Sequence, residues 1–350
     1  AGLETAAFVA NPWLATGALD RGFRAFDVAE RLESLTEIRS TRLYRALLKA
    51  LLRGLRLDSA DAISARGLRW LSRTSGPWCL WLHYLDPHLP NWPPSPYDRL
   101  FGPPPRHVGS ALTAEEIRAD SYAGGGGGRR EIARLYRGEV AYTDAAIGRV
   151  LRHLTERELL ASTVVAITGD HGEELWDHAG YGHGHAMWNE VVRVPLFLRT
   201  PGRAPAELTS RLARLVDLAP TALVAAGISL PVEPAFTGCD LLAAVEGPAT
   251  CYGEATLYGD EQKFLRRGRY KLIHRPPVGE GETRLFDLAR DPAERVDLAA
   301  TETALADTLF GELLEWMARV GSAGAMAARD IPADLDPATV EQLRALGYIQ

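Results

Sequence analysis

The stretch Thr163–Thr168 constrains the fold more than any other segment of this chain. It is rich in β-branched residues and bounded by polar ones, which predicts a fully buried parallel strand and an α/β architecture. Val194–Arg199 predicts another strand, and Thr5–Ala10 and Trp78–Tyr84 two more. Helices are predicted over 41–56, where Leu43, Leu47, Leu48, Leu51, Leu52 and Leu55 recur at helical spacing, and in a stretch ending near Leu71. A long helix is predicted from about Arg129 to Arg157, with Ile132, Leu135, Tyr136, Val140, Ile147, Leu151 and Leu154 on one stripe. Asp144 lies one turn from Val140 and Ile147, which predicts a buried structural carboxylate bonded to a neighbouring loop. Leu208, Leu212, Leu215 and Val216 mark a further helix whose start suits Glu207. Asp217 then caps the next helix, with Pro220 in its first turn and Gly227 at its end.

Two segments interrupt this order. Residues 87–105 hold eight of the 22 prolines, which predicts an irregular, stiff surface loop. Gly124–Gly128 has no side chains to pack and is expected to be a mobile joint. After Gly238 the character changes. Cys251–Glu254, Tyr270–His274 and Arg284–Leu288 read as short antiparallel strands, followed by a helix near Thr303–Val320. The expected organisation is therefore a main α/β domain over 1–238 and a smaller C-terminal antiparallel α+β part over 239–350.

Composition narrows the function classes. A 350-residue chain with 46% hydrophobic and 24% charged residues is globular, and a net charge of −6 argues against a nucleic-acid partner. No run approaches 18 consecutive apolar residues, so no membrane span is predicted. Cys79, Cys239 and Cys251 are far apart and odd in number, so they form no disulfide framework.

The chemistry concentrates in one place. Four of the nine histidines, His171, His178, His183 and His185, fall within fifteen residues directly after the strand at 163–168. Ligands in open α/β sheets bind at the carboxyl ends of strands. There Asp170 offers a hard oxygen and His171 a borderline nitrogen, a pair suited to one divalent cation. His183 and His185 flank Gly184 in a glycine-rich loop, where neutral imidazoles could ligate metal and protonated ones could hold an anionic oxygen. A second candidate follows the strand at 78–84. His83 reads as a core histidine, and His88, in the loop, as an acid able to protonate a leaving-group oxygen.

Together these segments resemble the sulfatase family of the alkaline phosphatase superfamily. The resemblance rests on Asp170-His171-Gly172-Glu173, the loop at 182–185, Arg193-Val194-Pro195-Leu196 and the stretch from His83 through Asp86-Pro87-His88. Further similar motifs are Tyr142, Asp144 and Ile147-Gly148, the run Val216–Thr221, Tyr270–Ile273, Leu285–Leu288 with Asp291-Pro292, and the tail Leu343–Tyr348. The resemblance implies an alkaline-phosphatase-like mixed sheet flanked by helices. It implies a metal-dependent enzyme hydrolysing a small-molecule or glycan sulfate ester, with a phosphodiesterase or phosphonate hydrolase, and a noncatalytic metal- or anion-binding relative, as alternatives. It also implies a divalent metal, calcium with manganese or zinc as alternatives, beside a formylglycine made from a Cys/Ser-x-Pro-x-Arg motif. By the same resemblance Asp170 and His171 are metal ligands, His88 lies near the leaving group, and His183 or His185 stands where relatives place a substrate-binding lysine. Asn11 is a weak candidate for substrate contact.

Cys79, Cys239 and Cys251 do not begin the modification motif, and the family's upstream pair of metal aspartates is absent from the sequence. The chain opens without an initiator methionine, on a segment similar to the one after the family's nucleophile helix. The expectation is that the first strand and nucleophile helix precede the sequence given, with the formylglycine upstream.

Overall fold

The computed structural model describes residues 2–11, 14, 19–29, 58–88, 91–103, 125–203, 212–231, 236–243, 249–255, 261–276 and 281–324. They belong to two compact units, Ala1–Leu159 and Leu160–Asp330. The helix predicted over 41–56 and the helix start at Glu207 lie outside the described residues, as does the tail Leu343–Tyr348.

In the first unit β1 (Glu4–Val9) lies between β2 (Ala25–Val28) and β3 (Trp78–His83), with both pairings parallel. Ala6, Ala7, Val9 and Ala10 are fully buried, small enough to let covering elements approach the strand closely. Helix α1 (Ala60–Leu71) begins where Ser59 accepts a hydrogen bond from the Ala62 N–H at 3.3 Å, an N-cap that satisfies one free donor of the first turn. Its Ile63 packs with Phe8 and Leu85 in an apolar cluster that Leu80 and Leu82 of β3 extend.

Helix α2 (Gly125–Glu156) departs from expectation in two ways. Gly125–Gly128 form its first turn instead of a joint. Glycine costs about 1 kcal/mol per residue in a helix, but here that cost is confined to the end of a 32-residue element packed along its length. The buried face is also rotated from the predicted stripe. Ile132, Glu139, Tyr142, Thr143, Ala146 and Leu154 are buried, whereas Val140 and Asp144 are exposed. The structural carboxylate of this helix is therefore Glu139, not Asp144. Its Oε1 accepts the Trp92 N–H at 2.7 Å and holds the proline-rich segment, whose described residues 91–103 are irregular apart from a 3₁₀ turn at Tyr97–Arg99.

In the second unit β4 (Val165–Thr168) pairs antiparallel with β7 (Leu196–Arg199). The expected burial on both faces is not observed: the residues of β4 alternate between half-buried and exposed. A short β-branched run carries no signal that separates a parallel strand from an antiparallel one, so the sequence could not decide this point. Between β4 and β7 come the two-residue strands β5 (Glu174–Leu175) and β6 (Tyr181–Gly182) and the single turn α3 (Asn189–Val192). Leu212 lies outside any helix, and Leu215–Asp217 form a 3₁₀ turn before α4 (Leu218–Ala225). Gly227, at φ +74°, ends α4 as expected.

The C-terminal part contains β8 (Thr250–Ala255), β9 (Gln262–Arg267), β10 (Tyr270–Arg275) and β11 (Glu282–Asp287) in antiparallel order β11-β10-β9-β8, then α5 (Thr303–Gly324). Strand β9 was not predicted, because its charged residues interrupt the apolar pattern. The register decides which side chains share a face. Leu265, Leu272 and Leu285 lie opposite one another and pack under Leu309 and Leu313 of α5. Phe264, Ile273 and Phe286 point the other way and pack against Met187, Trp188 and Val192. One face thus carries a helix and the other carries the segment after the histidine loop.

Asp217 is not a side-chain cap of α4. It is fully buried, accepting from the Arg214 guanidinium at 2.8 and 3.1 Å, from the Arg214 N–H at 2.9 Å and from the Cys239 N–H at 2.9 Å. Burial raises its pKa, but these hydrogen bonds outweigh burial and hold it below the usual carboxylate value. A group whose folded pKa is lowered contributes stability that is full above its unfolded value, about 3.9, and is lost as pH falls through the folded value. Asp217→Asn should therefore lower stability by about 2–3 kcal/mol at pH 7. In urea titrations the gap from wild type should narrow as the pH falls below about 4.

Candidate functional site

A two-residue pairing builds the site. Glu174 lies opposite Gly182, and Leu175 opposite Tyr181, in the β5–β6 hairpin. The Trp176 N–H donates to the Gly180 carbonyl at 2.9 Å, and the Trp176 and Tyr181 rings stack at 4.6 Å, closing the turn. This register brings Glu173, just before β5, beside His183, just after β6. Gly182 and Gly184 hold φ +88° and +77° on either side of His183, a backbone that L side chains rarely adopt.

Glu173 and His183 are both buried, with Glu173 Oε1 bonded to His183 Nδ1. The His171 ring stacks on His183 with centroids 3.9 Å apart, and His171 Nδ1 lies 3.9 Å from Glu173 Oε1. One donor atom from each of His171, Glu173 and His183 falls within 4.8 Å of the others. Two imidazole nitrogens and a carboxylate oxygen form a set that a divalent cation can bridge. Glu173 Oε2 is buried without a hydrogen-bond partner among the described residues, an acceptor that a cation would satisfy.

Asp170 lies two residues beyond β4 with its side chain 75% exposed. Its Oδ1 accepts the His171 N–H at 3.0 Å and lies 3.9 Å from His171 Nε2, at the rim of the cluster. Glu173 is the donor that the sequence reading left out. Its signal was present, since it stands two residues from His171, but nothing in the sequence announced the hairpin that turns it toward His183.

The remaining histidines of the loop are held by acids. His185 Nε2 donates to Glu174 Oε2 at 2.8 Å, and the N–H groups of Gly180 and His178 donate to Glu174 Oε1 at 2.5 and 3.1 Å. Burial raises the Glu174 pKa, yet His185 and the two N–H donors prevail and hold it low. His178 lies 2.5 Å from Glu190 Oε1 and stacks on Trp188 at 4.0 Å.

In the first unit His83 ends β3, half-buried and edge-on to Trp81. His88 is buried in the following turn, its N–H donating to the Leu85 carbonyl at 3.0 Å, and Asn11 is buried just after β1. Cys79 and Cys239 are exposed, and burial pushes the Cys251 thiol up, away from the thiolate that a nucleophile needs.

A family model described as Sulfatase matches residues 20–228, more than half of the chain. The chain belongs to the sulfatase family. The chain is 30% identical over 189 residues to arylsulfatase K of Mus musculus, an alignment covering 49% of the chain and 33% of that protein. It spans about a third of the length of the curated relatives it matches. Among solved structures it resembles the phosphonate monoester hydrolase of Agrobacterium radiobacter, at TM-score 0.65 and 21% identity over 91% of this chain and 78% of that one. It also resembles a protein solved in complex with its substrate D-glucosamine-2-N,6-O-disulfate, at TM-score 0.59 and 19% identity over 79% and 72%. The chain therefore has the alkaline-phosphatase-like fold. Its described helices include none long and apolar enough to cross a membrane.

Glu174→Ala would leave three half-buried donors without their acceptor. It should cost at least about 2 kcal/mol in thermal or urea unfolding. Glu173→Ala, which frees only the rings of His171 and His183, should cost less and change mainly the histidine NMR shifts.

Proposed function

We propose that this protein hydrolyses sulfate esters, using a divalent metal held by His171, Glu173 and His183 with Asp170 at the rim. The observation that carries the reading is the gathering of His171, Glu173 and His183 donor atoms within 4.8 Å of one another, with Glu173 Oε2 buried and without a hydrogen-bond partner among the described residues, in a chain of the sulfatase family. A bound metal would supply positive charge to the nonbridging oxygens of the ester. The donor set is richer in nitrogen than calcium prefers, since calcium takes six to eight oxygens. Manganese or zinc fits His171, Glu173 and His183 better.

The chain's own residues supply the rest. The Glu174 hydrogen bond fixes the orientation of the His185 ring. Gly182 and Gly184 leave the backbone bare around His183, so an anionic ester can approach it closely. His88 is the proposed acid for the leaving-group oxygen and Asn11 a proposed substrate contact; both assignments rest on the family motif. The nucleophile is proposed to be a formylglycine outside this sequence. A sulfated glycan is the proposed substrate class, supported by the disulfated glucosamine bound by the structural neighbour.

Hydrolysis of a phosphonate or phosphate diester is the second reading, favoured by the nitrogen-rich donor set. Both are tested with the protein expressed from its complete coding sequence. Aryl sulfate, phosphate diester and phosphonate monoester are assayed with and without a chelator. The expected result is fastest turnover of the sulfate, loss on chelation and recovery with manganese or zinc. His171→Ala and His183→Ala should each lower kcat/KM by at least 100-fold. Turnover untouched by chelation or by His171→Ala would overturn the metal reading, and a faster phosphonate would select the second.

A further inference from the structure

A buried ion pair lies outside the cluster. Lys271 of β10 and Glu294 both have fully buried side chains, with Nζ 2.6 Å from Oε1. Lys271 points from the sheet face that carries Phe264, Ile273 and Phe286, and its Nζ lies 5.4 Å from the Phe264 ring centroid. The pair grips one short turn. Lys271 Nζ donates to Asn189 Oδ1 at 3.2 Å, the Asn189 N–H donates to Glu294 Oε2 at 2.6 Å, and Asn189 Nδ2 donates to the Pro292 carbonyl at 3.3 Å. His178 Nε2 reaches the Glu294 carbonyl at 3.3 Å. Glu294 holds φ +53°, a left-handed conformation uncommon for a residue with a side chain, and these contacts keep it there.

The gripped turn is α3, and α3 touches Gly172, between two residues of the cluster. The Gly172 N–H donates to the Val191 carbonyl at 2.7 Å, and any Cβ at Gly172 would collide with the Glu190 carbonyl oxygen. Gly172 joins His171 to Glu173, so the position of α3 fixes the peptide between two of the three donors.

We propose that the Lys271–Glu294 pair is a positioning device for His171, Glu173 and His183, acting through Asn189, Val191 and Gly172. The proposal rests on the metal reading of the cluster only for its consequence in metal affinity; the positioning itself does not need the metal.

Removing one partner would strand a buried charge, so the test removes both with Lys271→Met/Glu294→Leu. Arg214→Met/Asp217→Leu, which removes another ion pair of the same unit whose acid is buried, serves as control. Two quantities are read in the protein as it exists: the dissociation constant for Co²⁺ alone, by absorbance titration, and amide exchange at Gly172 relative to Leu272 of the central strand β10. The expected result is at least tenfold weaker Co²⁺ binding and tenfold faster relative exchange at Gly172, with neither changed more than twofold in the control. If wild type takes up no Co²⁺, the metal reading fails and the exchange ratio alone decides the positioning. Should the double variant not fold, Asn189→Ala, which breaks only the side-chain links of the turn, must shift the Gly172 ratio in the same direction. An unchanged ratio in the variant that folds overturns the proposal.

Discussion

Pairing of Glu174 with Gly182 is the constraint on which the candidate site depends. Two residues on each strand are too few to be stable alone, so the hairpin is secured by its side chains. Glu174 gathers three donors beneath the turn, and the Trp176–Tyr181 stack covers it. Given that register, Glu173 meets His183 without further instruction, and His171 stacks on the same ring. The acid that secures the hairpin thus sets the geometry of the acid beside it.

The C-terminal sheet supports this arrangement from outside. Its register sorts leucines to the α5 side and Phe264, Ile273 and Phe286 to the side of Met187 and Trp188. Lys271 sits among the second group, so its charge is delivered to the turn behind the histidine loop. Gln262, on the same face, donates to the His185 carbonyl at 3.1 Å. A part of the chain remote in sequence from the histidines therefore contacts their loop at both ends.

Much of this was legible beforehand. Strands β1 and β3, helices α1 and α5, and three of the four C-terminal strands follow from apolar pattern and turn residues. The position of the histidine cluster follows from the strand before it and from the family motifs. What the sequence concealed was orientation. Along α2 a small rotation exchanges Val140 and Asp144 for Glu139 and Tyr142, because the stripe of apolar residues is broken by Gly138 and Glu139 themselves. Asp217 looked like a cap since it stands at the right place, but Arg214 and Cys239 offer its carboxylate better partners than the first turn of α4 does. Strand β9 was hidden by its charges, because Lys263 lies largely buried between Glu254 and Glu261, where pairing makes burial tolerable. Glu173 was passed over for the same kind of reason: its role depends on a contact ten residues away that no local pattern announces.

The adjacent glutamates have one more consequence. Successive side chains of an extended segment face opposite ways, so Glu173 meets the His183 ring while Glu174 gathers the donors of the hairpin. Their identity is the same; only parity separates them. A single inserted or deleted residue between Gly172 and Leu175 would swap the two environments while leaving the composition of the loop almost unchanged. The segment looks like a surface loop, where length is usually free to drift, yet it must keep count like the interior of a strand.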